Sequence, residues 1–266
     1  MATGDRYVAD VSSFRVPSEV ALPAAVFISI LVFWELIVAA MAIPEFILPP
    51  PSAIAGAFVE NYGTIAEQLL ITLQAFGLGA TLSIVSGYLM AVAMAQSSVL
   101  ETTFYPYVII ARSIPVVALL PLFIVWFGFG FPTIVVISYL ISFFAMVVNA
   151  LSGFKSTDDE LIEMLESFSA NRREVFVHVY LYASLPAVFA GIKICVILSF
   201  TGVIVGEFLA GSQGIGHLIL TYNNHMATAE MFAGIAAVSI TQLVLFGSVT
   251  ALERHIVDWQ YGNGGA

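Results

Sequence analysis

Charged residues are scarce in this chain. Of its 266 residues only 10% are Asp, Glu, Lys or Arg, whereas 60% are hydrophobic, and a soluble domain carries about 25% charged residues. The mean hydropathy of +0.98 agrees with this imbalance. A soluble enzyme, a disordered chain and a collagen-like fibre are excluded, because each has a very different composition. The composition predicts an integral membrane protein.

Basic residues and cysteine are scarcer still. The chain has 8 Lys and Arg against 18 Asp and Glu, which gives a formal net charge of −10. That balance argues against a nucleic-acid partner, which needs clustered Lys and Arg. Cys195 is the single cysteine, so an internal disulfide and a cysteine-based zinc site are excluded.

Six stretches are apolar and long enough to cross a bilayer as helices, which need about 20 residues each. Residues 68–100 and 113–154 contain no charge, and the Gly- and Pro-containing cluster 128–132 divides the second run. Residues 211–224 are also uncharged, but their Gly, Ser, Asn and His content predicts a loop. The predicted all-α fold therefore has six transmembrane helices, at residues 20–43, 68–95, 104–127, 132–152, 187–209 and 231–252.

The distribution of Lys and Arg predicts the orientation, because these residues stay on the cytoplasmic side. With six spans and a cytoplasmic N-terminus, every base falls on the inner side and none lies in the outer segments 44–67, 128–131 and 210–230. The eight bases are Arg6, Arg15, Arg112, Lys155, Arg172, Arg173, Lys193 and Arg254. The prediction makes residues 1–19, 153–186 and 253–266 cytoplasmic, and residues 44–67 periplasmic.

The cytoplasmic segment 153–186 is too long and too patterned for a simple connector. Residues 156–159 are suited to cap a helix that begins near Glu160, and an apolar face follows at helical spacing. That face consists of Leu161, Met164, Leu165 and Phe168. A second helical stretch is predicted from Arg172 to Leu185, ending at Pro186. By spacing alone, an interfacial amphipathic hairpin and a partner-docking element are equally favoured.

Several motifs in the chain resemble the permease subunits of bacterial type I ABC importers, in particular the nitrate/sulfonate/taurine-type branch. Glu163-Met164-Leu165, Ser169 and Leu185-Pro186 are similar to the EAA loop of that family, although bulkier residues replace its Ala-Ala and Gly. The resemblance covers residues 34 to 259. The other matching stretches are residues 46–52, Arg112-Ser113-Ile114-Pro115, residues 120–128, and Glu207 followed by Gly214-Ile215-Gly216.

The resemblance implies a chain whose core, residues 68–252, forms a solute path together with a second copy. It implies two ATPase subunits, which bind ATP and Mg, and an external solute-binding protein that delivers a small anionic or zwitterionic solute. The EAA-like loop would then be the coupling helix that docks on the ATPase. Its expected residues are Glu160, Glu163, Met164, Leu165, Phe168, Ser169, Arg172, Leu185 and Pro186.

The sequence lacks the motifs of an enzyme. The two lysines, Lys155 and Lys193, stand in no Gly-x-x-x-x-Gly-Lys-Ser/Thr loop, so no P-loop is present. There is no Gly-x-Ser-x-Gly or His-Glu-x-x-His motif either. His217 and His225 share an outer segment without a carboxylate pattern, and solvated histidines are favoured there over a metal site. We therefore expect no cofactor on this chain, and ATP hydrolysis on another one.

Polar groups inside the predicted helices mark candidate path or gate residues, since an acid at helix depth costs roughly 2.5–3.5 kcal/mol. Glu207 is expected to have a structural or gating role, by bonding to amides of the following Gly-rich loop, unless it reaches headgroups and water. Glu35 is expected to have a structural partner. Pro115 and Pro121 interrupt a helix, which indicates either a path wall or a packing kink. The candidates are Arg112, Pro115, Pro121, Glu207, Gly214 and Gly216.

Two further features concern packing and the outer surface. Gly79, Ser83 and Gly87 recur at every fourth position, which favours close helix packing within the subunit over a dimer seam. Residues 44–67 predict a short surface helix, which with residues 211–225 forms either a landing face for a binding protein or a plain connector. The alternative function is an ion-coupled secondary carrier, which would need embedded acids and often has internal repeats.

Overall fold

The computed structural model describes residues 18–158, 160, 164–165, 167 and 170–257, without the side chains of residues 18–20, 172 and 173. That part of the chain is helical and contains no strand. A 3₁₀ turn (Val116–Leu119) precedes α5, and a π-helical turn (Phe176–Tyr180) joins α7 to α8. The helices are α1 (Ser18–Ala40), α2 (Pro51–Glu60), α3 (Tyr62–Gln96), α4 (Ser98–Arg112), α5 (Leu120–Phe127), α6 (Phe131–Lys155), α7 (Arg172–Val175), α8 (Leu181–Ala210), α9 (Ile215–Asn224) and α10 (Thr228–Ile256).

Within the described residues, five helical segments are long and apolar enough to cross a membrane: Ala21–Ala40, Tyr62–Gln96, Phe131–Lys155, Phe176–Ala210 and Thr228–Ile256. The pair α4–α5 would supply a sixth span, but its two halves are bent by 83°. The prediction of an all-helical, multi-pass chain is thus confirmed. The span predicted at residues 104–127, with its interruption, corresponds to this bent pair, which begins earlier, at Ser98.

Three long helices, α3, α6 and α8, form the centre of the fold, and small residues let them approach closely. A Cβ atom built on Gly87 of α3 would lie 2.8 Å from Cβ of Met146 in α6, and one on Gly79 would overlap Ser138. On the other side of α6, a Cβ on Gly202 of α8 would lie 3.0 Å from Cα of Ser138. The predicted small-residue stripe therefore packs within the subunit.

Hydroxyl groups link the same three helices through the apolar core. Ser83 and Ser142 join α3 to α6 at 2.6 Å, and Ser138 and Ser199 join α6 to α8 at 2.6 Å. All four side chains are fully buried. The hydroxyls of Ser83, Ser138 and Ser142 also lie within hydrogen-bonding distance of a backbone carbonyl. The Ser199 hydroxyl is satisfied by its bond to Ser138. The polar atoms are therefore satisfied inside the protein, as an apolar solvent requires.

The structure overturns the prediction of a loop over the whole of residues 211–224. Ile215–Asn224 form helix α9, in which the apolar side chains of Ile215 and Ile219 pack against α2 and α10. The polar residues Ser212 and Gln213 precede this helix and are exposed. The predicted short helix within residues 44–67 is confirmed as α2, and α3 begins at Tyr62 instead of residue 68.

Helix boundaries near Pro186 differ as well. Pro186 lies inside α8, which begins at Leu181 and continues the helical path from Arg172. A Cβ built on Gly153 of α6 would lie 2.7 Å from Cβ of Ala187, and 3.1 Å from the carbonyl of Ser184. Packing on both sides of the proline thus holds α8 together, although proline lacks an amide and disfavours a helix interior. The predicted helical stretch from Arg172 is therefore present, but it continues beyond Pro186 instead of ending there.

Helix α1 lies at the periphery, and it is tied to α2 by a polar contact. The carboxylate of Glu35 accepts hydrogen bonds from the Ser52 amide at 3.1 Å and from its hydroxyl at 2.7 Å. Ser52 is in the first turn of α2, where amides have no partner within the helix and a negative charge is favoured. The expected structural partner of Glu35 is thus Ser52.

Substitution of Gly87 tests the close packing of α3 on α6. We expect Gly87→Ala to destabilise the protein by about 1–3 kcal/mol, because the new methyl group overlaps Met146. Gly77→Ala, in the same helix with nothing within 4 Å of its Cβ position, is the control and should be neutral or stabilising. Thermal unfolding of the detergent-solubilised variants measures both effects. Equal melting temperatures would show that the α3–α6 contact is loose.

Candidate functional site

The interruption between α4 and α5 is produced by Pro115. Helix α4 ends at Arg112, and Pro115 takes an extended conformation with ψ of 101°. Pro121 has a different role, because it occupies the first turn of α5, where a missing amide costs nothing. Of the two prolines predicted to interrupt the helix, one breaks it and the other begins the next helix.

The break exposes polar groups and backbone within an apolar part of the chain. Arg112, Ser113 and Pro115 are exposed. The Ser113 hydroxyl bonds to the Ile109 carbonyl at 3.1 Å, and the Arg112 cation stands at the C-terminal end of α4, where it is electrostatically favoured. Arg112 is thus the last residue of α4, directly before the break.

Helix α5 has one face against the bundle and one face free. Leu120 and Phe123 are buried against α6 and the end of α8, whereas Val125 and Trp126 are 80% and 62% exposed. The turn that follows is held by the Gly130 amide, which donates to the Ala210 carbonyl at 2.8 Å. Gly128 and Gly130 have φ of +80° and +97°, a conformation that favours glycine. The turn predicted at residues 128–132 is confirmed.

The carboxylate of Glu207 is buried at the beginning of α9. The residue is only 1% exposed. Its Oε2 accepts the Gly216 amide at 2.8 Å, and its Oε1 contacts the Thr72 hydroxyl of α3 at 2.7 Å. The expected bond to an amide of the Gly-rich segment is confirmed, and the alternative of a carboxylate reaching water is wrong.

Two glycines make this contact possible. Gly214 has φ of +98°, and a Cβ there would overlap the Glu207 carboxylate. A Cβ on Gly216 would lie 2.9 Å from the Ile204 carbonyl and 2.9 Å from Cβ of Glu207. The beginning of α9 therefore rests directly on α8, with no room for a larger residue.

Sequence reasoning missed two members of this cluster. Thr72 and Gln68 of α3 accept the amides of Ile215 and Gly214 at 2.9 Å and 2.8 Å. A polar pair four residues apart in an apolar helix was the only available signal, and their partners are about 140 residues away. Next to the cluster lies a cavity of about 320 Å³, whose lining includes Phe129, Phe131, Ser212, Gln213 and Glu207.

The segment after α6 shows the predicted cap near Glu160 and a second cap, at Asn171, that was not predicted. The Asp158 carboxylate accepts the Glu160 amide at 3.0 Å. Further along, Asn171 and Glu174 cap each other reciprocally, with amide-to-side-chain distances of 2.8 Å and 3.0 Å, and α7 begins at Arg172. Met164 is 51% exposed and Leu165 is partly buried. Three further predicted docking residues, Glu163, Phe168 and Ser169, lie outside the described residues.

Two ion pairs connect helices at the end of the bundle opposite α2 and α9. Lys193 of α8 bonds to both oxygens of Glu253 in α10, at 3.1 Å and 2.8 Å, and their side chains are 22% and 6% exposed. Lys155 of α6 pairs with Glu101 of α4, with exposures of 56% and 27%. The first pair is shielded, whereas the second is open to solvent.

The fold and these sites define a class: a multi-pass helical membrane protein with an interrupted span and polar contacts at both ends. Residues 83–258 match the family of binding-protein-dependent transport system inner membrane components. The chain belongs to this family, and it is therefore a permease component of an ABC-type transport system in the inner membrane.

Relatives of known name agree with this assignment. The formylaminopyrimidine transport permease protein of Halalkalibacterium halodurans is 30% identical over 90% of this chain and 95% of its own length. The riboflavin transport system permease protein of Chloroflexus aurantiacus is 34% identical, with 87% of each chain covered. The taurine transport system permease protein of Escherichia coli is 26% identical, over 91% of this chain and 90% of its own.

The fold is that of solved ABC transporter structures. An inward-facing structure of the MetNI methionine ABC transporter superposes with a TM-score of 0.58 at 19% identity, covering 72% of this chain and 94% of that one. An amino acid ABC transporter crystallised with histidines gives a TM-score of 0.57 at 17% identity, covering 74% and 94%. At such low identity the likeness shows the fold alone.

The shielded ion pair provides a test of the packing of α8 on α10. We expect Lys193→Met to lower the free energy of unfolding by about 1–3 kcal/mol, because it leaves the buried Glu253 carboxylate unpaired. Adding Glu253→Met should restore much of the loss. Lys155→Met, which breaks the exposed pair, is the matched control and should cost less than about 1 kcal/mol. Thermal unfolding in detergent measures all three, and equal losses for both lysines would contradict the difference in burial.

Proposed function

We propose that this chain is the membrane-spanning permease subunit of a type I ABC importer, in which two copies enclose the path for a small solute. The family match supports the general role, and the interrupted span at Arg112–Pro115 supports the location of the path. Freed backbone groups at membrane depth are tolerated where protein or a wet cavity receives them. The exposed side of α5 would face the second copy across that path.

ATP binding and hydrolysis belong to two partner subunits in this proposal, because the chain has no P-loop lysine. The docking element is the EAA-like segment, with Met164, Leu165 and the residues around Glu163. Its apolar side chains lie in a strongly acidic stretch, so a groove on another protein suits them better than an anionic membrane surface. ATP-driven closure of the two ATPase subunits would move this segment and switch the path between an inward-open and an outward-open state.

The surface formed by α2, α9 and the intervening turns would receive an external solute-binding protein. Its described part, residues 44–67 and 210–230, contains no Lys or Arg. Two relatives of 30% identity or more are named for formylaminopyrimidine and riboflavin, and two relatives at 26–27% are named for taurine and aliphatic sulfonates. We therefore propose a small organic solute, with heteroaromatic compounds as the first class to test and sulfonates as the second.

The proposal places both termini in the cytoplasm, because all eight Lys and Arg then lie on one side. A reporter fused after Tyr7 and another after Gly262 should both be active only in the cytoplasm. An external signal from either fusion would overturn this orientation.

Docking on the ATPase is the central test of the proposed function. We expect Leu165→Asp to release the ATPase from the purified complex and to abolish transport, because a charge replaces an apolar contact worth roughly 1.5–3 kcal/mol. Ser167→Asp, which adds the same charge at an exposed polar position two residues away, is the control and should keep both. Co-purification and solute uptake are the measurements. If Leu165→Asp inserts normally, retains its ATPase and transports, the docking assignment is wrong.

Uptake measurements on the purified complex also distinguish an importer from an ion-coupled carrier. Uptake that depends on ATP and on an added binding protein supports the importer. Uptake driven by an ion gradient in the absence of any ATPase would instead establish the carrier.

A further inference from the structure

The beginning of α9 is bound by three side chains from other helices. The first amides of a helix have no partner within it, and in α9 the amides of Gly214, Ile215 and Gly216 face the core. Gln68, Thr72 and Glu207 accept them at 2.8, 2.9 and 2.8 Å. The first two acceptors belong to α3 and the third to α8. Two of the three central helices thus hold the same three-residue stretch.

Thr72 connects the members of this cluster to one another. Its hydroxyl oxygen receives the Ile215 amide, lies 2.7 Å from Oε1 of Glu207, and lies 3.2 Å from the Gln68 carbonyl one turn back. Thr72 is fully buried and Glu207 is 1% exposed. Removing one group would therefore leave others buried without a partner, which is the costly case for a polar network.

Helix α9 in turn holds the surface around it together. Ile219 of α9 packs against Gly234 of α10. A Cβ atom built on Gly234 would lie only 2.8 Å from Cγ1 of Ile219. Ile215 and Ile219 also belong to the cluster that contains Ala57 of α2. The Tyr222 phenol of α9 donates to Oδ1 of Asn61, which directly follows α2, at 3.5 Å. We call α2 and α9 the outer layer.

We propose that Gln68, Thr72 and Glu207 are positioning residues, which fix the outer layer to α3 and α8 so that it follows the movements of these central helices. The consequence of this positioning for transport rests on the proposed function, because the outer layer is the surface proposed to receive the binding protein. The positioning itself is a property of this chain alone.

The role of Glu207 in this cluster depends on hydrogen bonding rather than on charge. A glutamine at this position can accept the Gly216 amide and donate its own amide to the Thr72 oxygen. The Thr72 hydrogen can then turn to the Gln68 carbonyl, which is 3.2 Å away. All partners remain satisfied, whereas methionine of similar length satisfies none of them. An acid that couples transport to an ion would not tolerate glutamine.

Chemical labelling of α9 tests the positioning directly. Ile219 is 6% exposed, so a cysteine placed there is shielded while α9 is seated; Cys195→Ser removes the other thiol. In lipid nanodiscs, Thr72→Val and Glu207→Met should raise the rate of maleimide labelling at position 219 about tenfold. Thr72→Ser and Glu207→Gln should leave it near the parent rate. Thr241→Val is the matched control, because that hydroxyl bonds only within its own helix.

The functional readout uses the complete importer with its ATPase and binding protein. Half-maximal stimulation of the ATPase should require an about tenfold higher concentration of loaded binding protein in Thr72→Val than in the parent. ATP hydrolysis without the binding protein should be unchanged. A merely structural defect would lower assembly and basal hydrolysis together, without this shift.

The outcomes separate the two proposals. Unchanged labelling in both Thr72→Val and Glu207→Met, or labelling in Glu207→Gln as fast as in Glu207→Met, overturns the positioning role. If Glu207→Met fails to fold, the near-isosteric pair Thr72→Val and Thr72→Ser decides the same question. If labelling changes as expected while no ATPase ever co-purifies, the positioning role stands and the proposed function fails.

Discussion

The absence of water from the bilayer interior is the constraint on which the rest of this structure depends. Every backbone amide and carbonyl in a spanning segment must find its partner within the protein. Helices meet this demand by themselves, and the long segments α3, α6 and α8 do so. Where the helices stop, at Arg112–Pro115 and before α9, partners must come from elsewhere. These two places are also the ones that we connect with function.

Close packing of α3, α6 and α8 follows from the same solvent. Lipid supplies little hydrophobic force between helices, so association depends on van der Waals contact and on hydrogen bonds between them. Gly87 and Gly202 provide the contact, and the pairs Ser83–Ser142 and Ser138–Ser199 provide the hydrogen bonds. A rigid centre of this kind allows movement of one helix to reach both ends of the bundle.

Both ends of the bundle attach to this centre through polar groups rather than through apolar contact alone. At one end, Glu207 and Thr72 hold the beginning of α9. At the other, Lys193 joins α8 to α10 through Glu253, and Lys155 joins α6 to α4 through Glu101. The segment proposed to dock on the ATPase follows directly after Lys155. Helices α6 and α8 thus link the proposed docking segment with the proposed receiving surface.

Some features of this protein were determined by its sequence alone. Long uncharged runs leave membrane-spanning helices as the only solution, because no other arrangement satisfies the backbone in lipid. The turn at residues 128–132, the cap near Glu160 and the close packing of Gly87 were likewise predictable, since each depends on local conformation or spacing. The permease family was recognisable from short motifs such as residues 112–128.

The tertiary structure decided what depends on distant partners. Pro115 breaks its helix whereas Pro186 does not, because α6 packs against α8 on both sides of the latter. Residues 211–224 were expected to form a loop by composition, yet Ile215–Asn224 are helical because α2 and α10 cover their apolar side. Glu207 meets Thr72 across 135 positions of the chain. No local pattern encodes such a contact, because it exists only once three helices have packed together.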